Sequence, residues 1–215
     1  MRRIENCYLC GSTTDLTNDH VPPKSYFPPQ RPKNLITVRC CKKCNHSYSL
    51  DDEAILIWLT SVASINPKGL WILRNTVAPI LKKKHKLRGH VKEHVKIETI
   101  NLPTGPAKLP LSYFPDERGD RFMIRLTKGF IRHFHPEYDY SNDKFEVQCA
   151  KPFNVKEWEH WRNILKILET THDSRGGGVI DFWHRLPDED GLGAWVFLFY
   201  HAALFVVFQT KNGAI

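Results

Sequence analysis

Apolar residues are spaced differently in successive parts of the chain, and this spacing predicts its elements. Residues 1 to about 52 hold only short apolar stretches among cysteines, prolines and turn residues, which is typical of short strands and loops. At Asp51 the pattern changes, because acidic residues precede an apolar run at 54–59, as they do at the N-terminus of a helix. Apolar residues at helical spacing from Pro67 to about Lys84 predict a second helix.

The rest of the chain changes its pattern twice more. Four prolines in 102–115 predict a connector, whereas residues 120–133 and 158–168 follow helical spacing. The tail contains short runs of aromatic and β-branched residues bounded by glycine-rich turns, which predicts strands. These strands cover Val179–Trp183, Trp195–Tyr200 and Leu204–Gln209. We therefore predict an α+β protein with a helical middle and a C-terminal antiparallel sheet.

Composition narrows the class of protein. The chain has 215 residues, of which 41% are hydrophobic and 25% are charged, so it can bury a core and is not globally disordered. Its formal net charge is +8, which favours a polyanionic partner, chiefly nucleic acid. The N-terminus lacks the apolar stretch of a signal peptide, and the longest apolar run, 194–208, is shorter than the roughly 20 residues that span a bilayer. We expect a cytoplasmic protein that does not enter a membrane.

The cysteines are concentrated at the N-terminus, where five of the six lie within the first 44 residues. In a reducing compartment such clustering indicates metal binding rather than disulfide formation. Cys7 and Cys10 form one Cys-x-x-Cys knuckle, and Cys41 and Cys44 form a second. Together the two knuckles can supply four thiolates to one structural Zn²⁺. Cys40 could replace Cys41 as a ligand. We favour Cys41, because two residues separate it from Cys44, as two residues separate Cys7 from Cys10.

Three further signals lie between the knuckles or directly after them. Asp19 and His20 precede a proline-containing loop, Asn34 opens an apolar stretch, and Asn45 directly follows the second knuckle. This arrangement resembles the HNH (ββα-metal) endonuclease family in its zinc-containing branch, including largely uncharacterised HNH proteins with the same cysteine and Asp-His-Val-Pro-Pro pattern. The resemblance covers residues 7 to about 53. It implies a zinc-stapled ββα-metal nuclease module that hydrolyses phosphodiester bonds, in DNA rather than RNA.

The chemistry of such a module explains the residue types. Phosphodiester hydrolysis needs a base for the attacking water and a cation beside the scissile phosphate. His20 is the candidate base, since an imidazole titrates near neutrality. Asp19 and Asn45 offer oxygen ligands for Mg²⁺ or Mn²⁺. The resemblance also implies that Asn34 forms a hydrogen bond across the strand–loop–strand unit and helps to fix His20.

Some assignments stay open at this point. Ser49 stands where some family members have a second histidine ligand, and His46 could take that role in a shifted register. Asp19 and His20 could also close a loop in a non-catalytic zinc module that binds nucleic acid or a protein partner. We divide the chain into a nuclease module, residues 1–55, and an α+β domain of unknown role, residues 56–215. The second domain is a candidate surface for a protein partner or for homo-oligomer formation.

A basic stretch offers a candidate phosphate-binding surface. Residues 82–96 contain seven lysines and arginines but one glutamate. Contacts from such a stretch to phosphates would raise affinity for nucleic acid without sequence specificity. A solvated basic surface without a ligand is the alternative interpretation.

Overall fold

The structure is a computed structural model that describes residues 5–29, 31–63, 66–85, 88–89, 95–102, 105–112, 116–150, 159–161, 163–164, 166 and 171–211. The protein has an α+β fold, as predicted. Its strands are β1 Leu16–His20, β2 Thr37–Cys41, β3 Val95–Leu102, β4 Gly105–Ser112, β5 Lys144–Cys149, β6 Asp173–Arg175, β7 Ile180–Arg185, β8 Leu192–Phe199 and β9 Ala203–Thr210. Its helices are α1 Lys42–Ser47, α2 Ser49–Val62, α3 Pro67–Ile72, α4 Ala78–Lys83 and α5 Asp116–Phe134.

The N-terminal part forms a hairpin followed by a helix. β1 and β2 pair antiparallel, from Leu16 opposite Cys41 to His20 opposite Thr37. β2 leads directly into α1, and the Sγ atom of Cys41 accepts a hydrogen bond from the backbone N–H of Cys44 at 3.4 Å. Cys41 of the second knuckle therefore caps α1, the helix that carries Cys44 of the same knuckle.

The predicted helices of the middle region are present. α2 contains the apolar run at 54–59, and it continues through residue 55, where the two predicted domains meet. α3 begins at Pro67 after Asn66, whose side-chain oxygen accepts the backbone N–H of Lys68 at 2.9 Å. A π-helical turn, Leu73–Val77, joins α3 to α4, so the helical region ends close to the predicted Lys84.

The interpretation of residues 102–115 as a connector is wrong. β3 and β4 pair antiparallel along their whole length, from Val95 opposite Ser112 to Leu102 opposite Gly105. The prolines of β4 are compatible with this pairing, since Pro106 and Pro110 lie an even number of residues apart. The backbone nitrogens of both prolines, which carry no hydrogen, can therefore face the open edge of the two-stranded sheet, where no N–H donor is needed.

The C-terminal sheet is antiparallel throughout, with the strand order β5-β9-β8-β7-β6. The three predicted strands correspond to β7, β8 and β9. The two edge strands were not predicted, because β6 is only three residues long and β5 lies in a largely polar segment. The predicted helix over 158–168 is helical at the described positions 159–161, 163–164 and 166, and its other residues lie outside the described chain.

One hydrophobic core joins the N-terminal hairpin to α5 and the sheet. The ring of Phe130 on α5 meets the ring of Phe182 on β7 edge to face, with 4.6 Å between the ring centroids. On the same helix, Phe122 stacks on Tyr26 of the N-terminal segment at 5.6 Å. α5 therefore lies between the sheet and the hairpin. Among the described residues, no helix has the length and apolar character needed to cross a membrane.

Gly129 sets the distance between α5 and the loop after β1. A Cβ atom added there would lie 2.8 Å from Cγ1 of buried Val21. We expect Gly129→Ala to lower the free energy of unfolding by about 1–3 kcal/mol, because overpacking outweighs the helix propensity of alanine. Denaturant unfolding measures this change. The double variant with Val21→Ala should lose less stability than the two single changes together, and strict additivity would contradict the proposed clash.

Candidate functional site

Four cysteine side chains converge beside the N-terminal hairpin. The Sγ atoms of Cys7, Cys10, Cys41 and Cys44 all lie within 4.8 Å of one another. A tetrahedral zinc site with bonds of about 2.3 Å places its sulfur atoms about 3.8 Å apart. The Sγ atoms of Cys10 and Cys41 are 3.7 Å apart, so the four thiols are close enough to hold one metal ion. A set of four thiolates suits zinc.

The backbone prepares one of these thiols for ionisation. Burial alone would raise the pKa of Cys7, but backbone N–H groups of Cys41, Cys10 and Leu9 donate to its sulfur and lower the pKa to about 6. Donors directed at sulfur favour the thiolate, which is the form that binds a metal. The local chain conformation is therefore suited to a metal-thiolate cluster.

Cys40 lies outside this cluster. Its side chain is fully buried, and its Sγ atom is 3.9 Å from that of Cys7. Burial raises the pKa of Cys40, with the neighbouring Cys7 as a further cause, so the neutral thiol is favoured. Cys40 thus contacts the first knuckle at Cys7 but is not part of the cluster of four sulfur atoms that all lie within 4.8 Å of one another. The structure places Cys41 in that cluster, in agreement with the spacing argument.

Asp19 is buried rather than open to solvent. Its carboxylate accepts a hydrogen bond from the hydroxyl of Tyr8 at 2.9 Å, and Nη1 of Arg125 lies 3.6 Å away. Both contacts use the same oxygen, Oδ2. Asp19, a candidate metal ligand, therefore already interacts with the Arg125 guanidinium and the Tyr8 hydroxyl.

Arg125 comes from α5, far along the sequence from the hairpin. It is only 3% exposed, and its guanidinium also donates to the carboxylate of Asp52 on α2. Burial raises the pKa of Asp52 to about 7, although Arg125 acts against this shift. Arg125 does not belong to any motif in the sequence. The available signal was a row of cations at intervals of three or four residues, which places them on one helix face: Arg118, Arg121, Arg125, Lys128 and Arg132.

His20 lies on the opposite face of β1 from Asp19, because successive side chains alternate along a strand. Its Nδ1 is 3.0 Å from the hydroxyl of Thr37, which itself can donate to the carbonyl of Leu35 at 3.4 Å. This chain of contacts favours the tautomer with the proton on Nδ1 and a lone pair on Nε2. Burial and the charge of Lys24 lower the pKa of His20, which favours the neutral imidazole.

Asn45 lies on α1, and its amide nitrogen donates to the hydroxyl of Thr17 at 3.2 Å. Thr17 and Asp19 are two residues apart on β1 and hence share one face, so the structure brings Asn45 and Asp19 to the same side of the hairpin. Asn45 also lines an open depression of about 510 Å³ together with His46 and Ser49, the two alternative ligand positions. His20 lies on the other side.

Asn34 lies apart from these residues. It is exposed in the turn that precedes β2, and within the described part of the chain it makes no hydrogen bond. The side chain that contacts His20 Nδ1 is instead Thr37. The role of Asn34 in fixing His20 therefore remains a prediction from the resemblance alone.

The buried contacts of Arg125 lead to a prediction about stability. Arg125→Met is expected to lower the free energy of unfolding by about 3–5 kcal/mol, because the carboxylates of Asp19 and Asp52 would be left without their buried cation. Arg118→Met is a matched control, since Arg118 is partly exposed and lies 4.0 Å from Asp51, and it should cost no more than about 1 kcal/mol. Equal losses in urea unfolding of the two variants would contradict a structural role for Arg125.

Comparison with known proteins finds no similar protein. No model of a protein family, no curated protein and no solved structure matches the chain at a significant level. The case for a function consequently rests on the residues and contacts described above.

Proposed function

We propose that this protein is a zinc-containing, metal-dependent endonuclease of the HNH type that hydrolyses phosphodiester bonds in nucleic acid, with DNA as the favoured substrate. One observation carries the proposal. The N-terminal loop, a hairpin and the following helix together hold the four-cysteine cluster, with His20 on the hairpin and Asn45 on the helix. These are the residue types, in the same chain order, that the resemblance to HNH nucleases requires.

Zinc has a structural role in this proposal. Cys7 and Cys10 lie in the N-terminal loop, whereas Cys41 and Cys44 lie at the junction of β2 and α1. An ion held by all four thiolates would fix the start of α1 against this loop. Because Asn45 directly follows Cys44, its position would depend on the same cluster.

His20 acts as the general base in the proposed reaction. With its proton on Nδ1 and directed at Thr37, Nε2 can accept a proton from an attacking water. Lys24 is close enough to His20 to lower its pKa, so it also adds positive charge near the place where a phosphate would approach. The neutral imidazole is the form that a base requires.

Asp19 and Asn45 are the proposed ligands of a divalent ion. They share one face of the hairpin, and both are oxygen donors, as Mg²⁺ and Mn²⁺ prefer. Asn45 uses its amide nitrogen towards Thr17, so the amide oxygen is the atom that would ligate. Asp19 would use Oδ1, since Oδ2 faces Tyr8 and Arg125. Such an ion would stabilise charge that develops on the phosphate.

A non-catalytic zinc module that binds nucleic acid is the second candidate. Two observations favour it: Arg125 already neutralises Asp19, and β1 separates His20 from Asn45. The proposed nucleic-acid surface would include the basic stretch 82–96, of which residues 86–87 and 90–94 lie outside the described chain. Within it, Lys82 and Lys83 are exposed, whereas Lys84 is paired with Glu53 at 2.7 Å.

A metal titration of the cleavage rate tests the role of Asn45. The Mg²⁺ concentration that gives half the maximal rate should be at least about tenfold higher for Asn45→Ala than for the wild type, because one ligand of the ion is lost. Part of the activity should return at high Mg²⁺ or Mn²⁺. Ser47→Ala is the matched control, because Ser47 is exposed on the same helix but does not line the depression, and it should titrate like the wild type. An unchanged Mg²⁺ dependence for Asn45→Ala would remove Asn45 from the ion site.

A further inference from the structure

A second cavity lies beside the cysteine loop, and its lining shares no residue with the depression at Asn45. Its volume is about 480 Å³, and its walls are the cysteine loop at 6–11, the end of α5 and the segment 136–141. This volume falls within the range of about 300–1,000 Å³ that is typical of small-molecule sites. We call this cavity the α5 cleft.

Two cations of α5 line this cleft. Lys128 and Arg132 are four residues apart and therefore neighbours on one helix face. The preceding cations on this face are paired, since Arg121 binds Asp51 and Arg125 binds Asp52. In the described part of the chain, no carboxylate oxygen lies within 4.0 Å of Lys128 or Arg132. The cleft thus receives the two members of the row that form no ion pair within 4.0 Å, although Asp143 acts on Lys128 and Asp139 on Arg132 over longer distances.

The cleft also contains buried polar atoms without partners. Nε of Arg132 and Oδ1 of Asn6 are both inaccessible to solvent and form no hydrogen bond. Lys128 is half-buried, and burial lowers its pKa although Asp143 acts against this shift. Its Nζ lies 5.3 Å from the centroid of the Phe145 ring. A ligand that accepts hydrogen bonds would satisfy Nε of Arg132, and its negative charge would offset the burial of the two cations. Oδ1 of Asn6 is an acceptor, so it needs a donor on the same ligand, such as a sugar hydroxyl.

Negative charge is present near the cleft both at its rim and at the half-buried Asp143, which acts on Lys128 and accepts hydrogen bonds from Tyr138 and Gln209. Glu137 and Asp139 are exposed, and Asp139 accepts the backbone N–H of Ser141 at 2.9 Å. Exposed charges are screened by water and salt, whereas the half-buried Lys128 and Arg132 act through a medium of lower dielectric constant. The two half-buried cations therefore outnumber the single half-buried carboxylate, Asp143, beside the cleft.

We propose that the α5 cleft binds a phosphate group, carried either by a free nucleotide or by the end of a nucleic-acid strand. The planar guanidinium of Arg132 and the ammonium of Lys128 suit a phosphate dianion. The volume beyond the two cations accommodates a sugar and base, and the half-buried ring of Tyr138 offers a surface for stacking. This site is separate from His20 and Asn45, so phosphate binding and cleavage can be tested independently.

Calorimetric titration of the full-length, zinc-loaded protein tests the proposal directly. A 5′-mononucleotide should bind at least about tenfold more tightly than the matching nucleoside, because only the nucleotide carries the phosphate. Inorganic phosphate should compete with it. A 5′-phosphorylated oligonucleotide that binds more tightly than both its 5′-hydroxyl form and the mononucleotide would identify a strand end as the source. A preference for the mononucleotide would identify a free nucleotide. Absence of binding by both phosphate and mononucleotide would overturn the proposal.

Substitutions locate the bound phosphate. Arg132→Gln should weaken mononucleotide binding by about tenfold or more, whereas Arg118→Gln removes the same charge from α5 outside the cleft and should leave it unchanged. Glu137→Gln alters only the exposed rim and should tighten binding by about two- to threefold. Zinc content is measured in parallel, since Cys7 and Cys10 also line the cleft. Unchanged affinity in Arg132→Gln and Glu137→Gln, or weaker binding only in protein that has lost zinc, would contradict the proposed site.

Discussion

Cys10→Ser protein is expected to lose its zinc and the fixed arrangement of the β1–β2 hairpin, while the five-stranded sheet stays folded. Structural zinc contributes on the order of 10–16 kcal/mol of apparent binding free energy in small zinc modules, and it does so only when its ligands are complete. The hairpin region also buries Tyr8 and Tyr26 in the common core. Loss of zinc should therefore disorder this region locally. Elemental analysis combined with hydrogen exchange over residues 7–47 and 180–210 measures both effects.

Cys40→Ser is the matched control for this prediction. Cys40 neighbours a proposed ligand and is more deeply buried than Cys10, yet it lies outside the four-cysteine cluster. The variant should retain zinc and normal protection of the hairpin from exchange. Zinc retained by Cys10→Ser and lost by Cys40→Ser would reverse the ligand assignment. Absence of zinc from carefully purified wild-type protein would contradict the metal site itself.

His20→Ala is expected to slow cleavage by about 10²–10⁴-fold, which is the usual cost of removing a general base. Binding of nucleic acid should persist, because it depends mainly on phosphate contacts made elsewhere. Zinc should also remain bound, since His20 is not part of the cysteine cluster. The cleavage rate at saturating DNA and Mg²⁺ measures the loss, and added Mg²⁺ should not restore it.

Two further variants distinguish His20 from its neighbours. Thr37→Val removes the hydroxyl that contacts Nδ1 and should reduce the rate less than His20→Ala, because the base remains while its orientation is lost. His46→Ala changes the exposed histidine of α1 and should leave the rate close to that of the wild type. A large loss in His46→Ala with a small loss in His20→Ala would exchange their roles.

The features that the sequence predicts best are local ones. Two Cys-x-x-Cys knuckles determine a four-thiol cluster almost independently of the rest of the fold, because each knuckle brings its own pair of sulfur atoms together. Strands β7, β8 and β9 were also predicted from local sequence, since each is a short run rich in aromatic and β-branched residues. The hairpin of β3 and β4 was not predicted, because four prolines in 102–115 indicate a connector. Prolines fit a strand only where their nitrogens face an open sheet edge, and the sequence does not show that edge.

Contacts between distant segments could not be predicted from the sequence. Arg125 reaches Asp19 only because α5 packs between the hairpin and the sheet, and no local pattern specifies that packing. The opposite orientation of Asp19 and His20 could have been anticipated. If Asp-His ends a strand, alternation directs the two side chains to opposite faces, and only one of them can face the core.

Cleavage of supercoiled plasmid by zinc-loaded wild-type protein tests the central claim most directly. The proposed function predicts nicked and linear products when Mg²⁺ is present. It also predicts no cleavage when Mg²⁺ is omitted from buffers that leave the structural zinc in place. A folded His20→Ala protein with the same zinc content should bind the plasmid and leave it intact on the same time scale. Cleavage by His20→Ala at the wild-type rate, or none by folded, zinc-loaded wild-type protein with Mg²⁺ or Mn²⁺ on DNA and RNA alike, would contradict it.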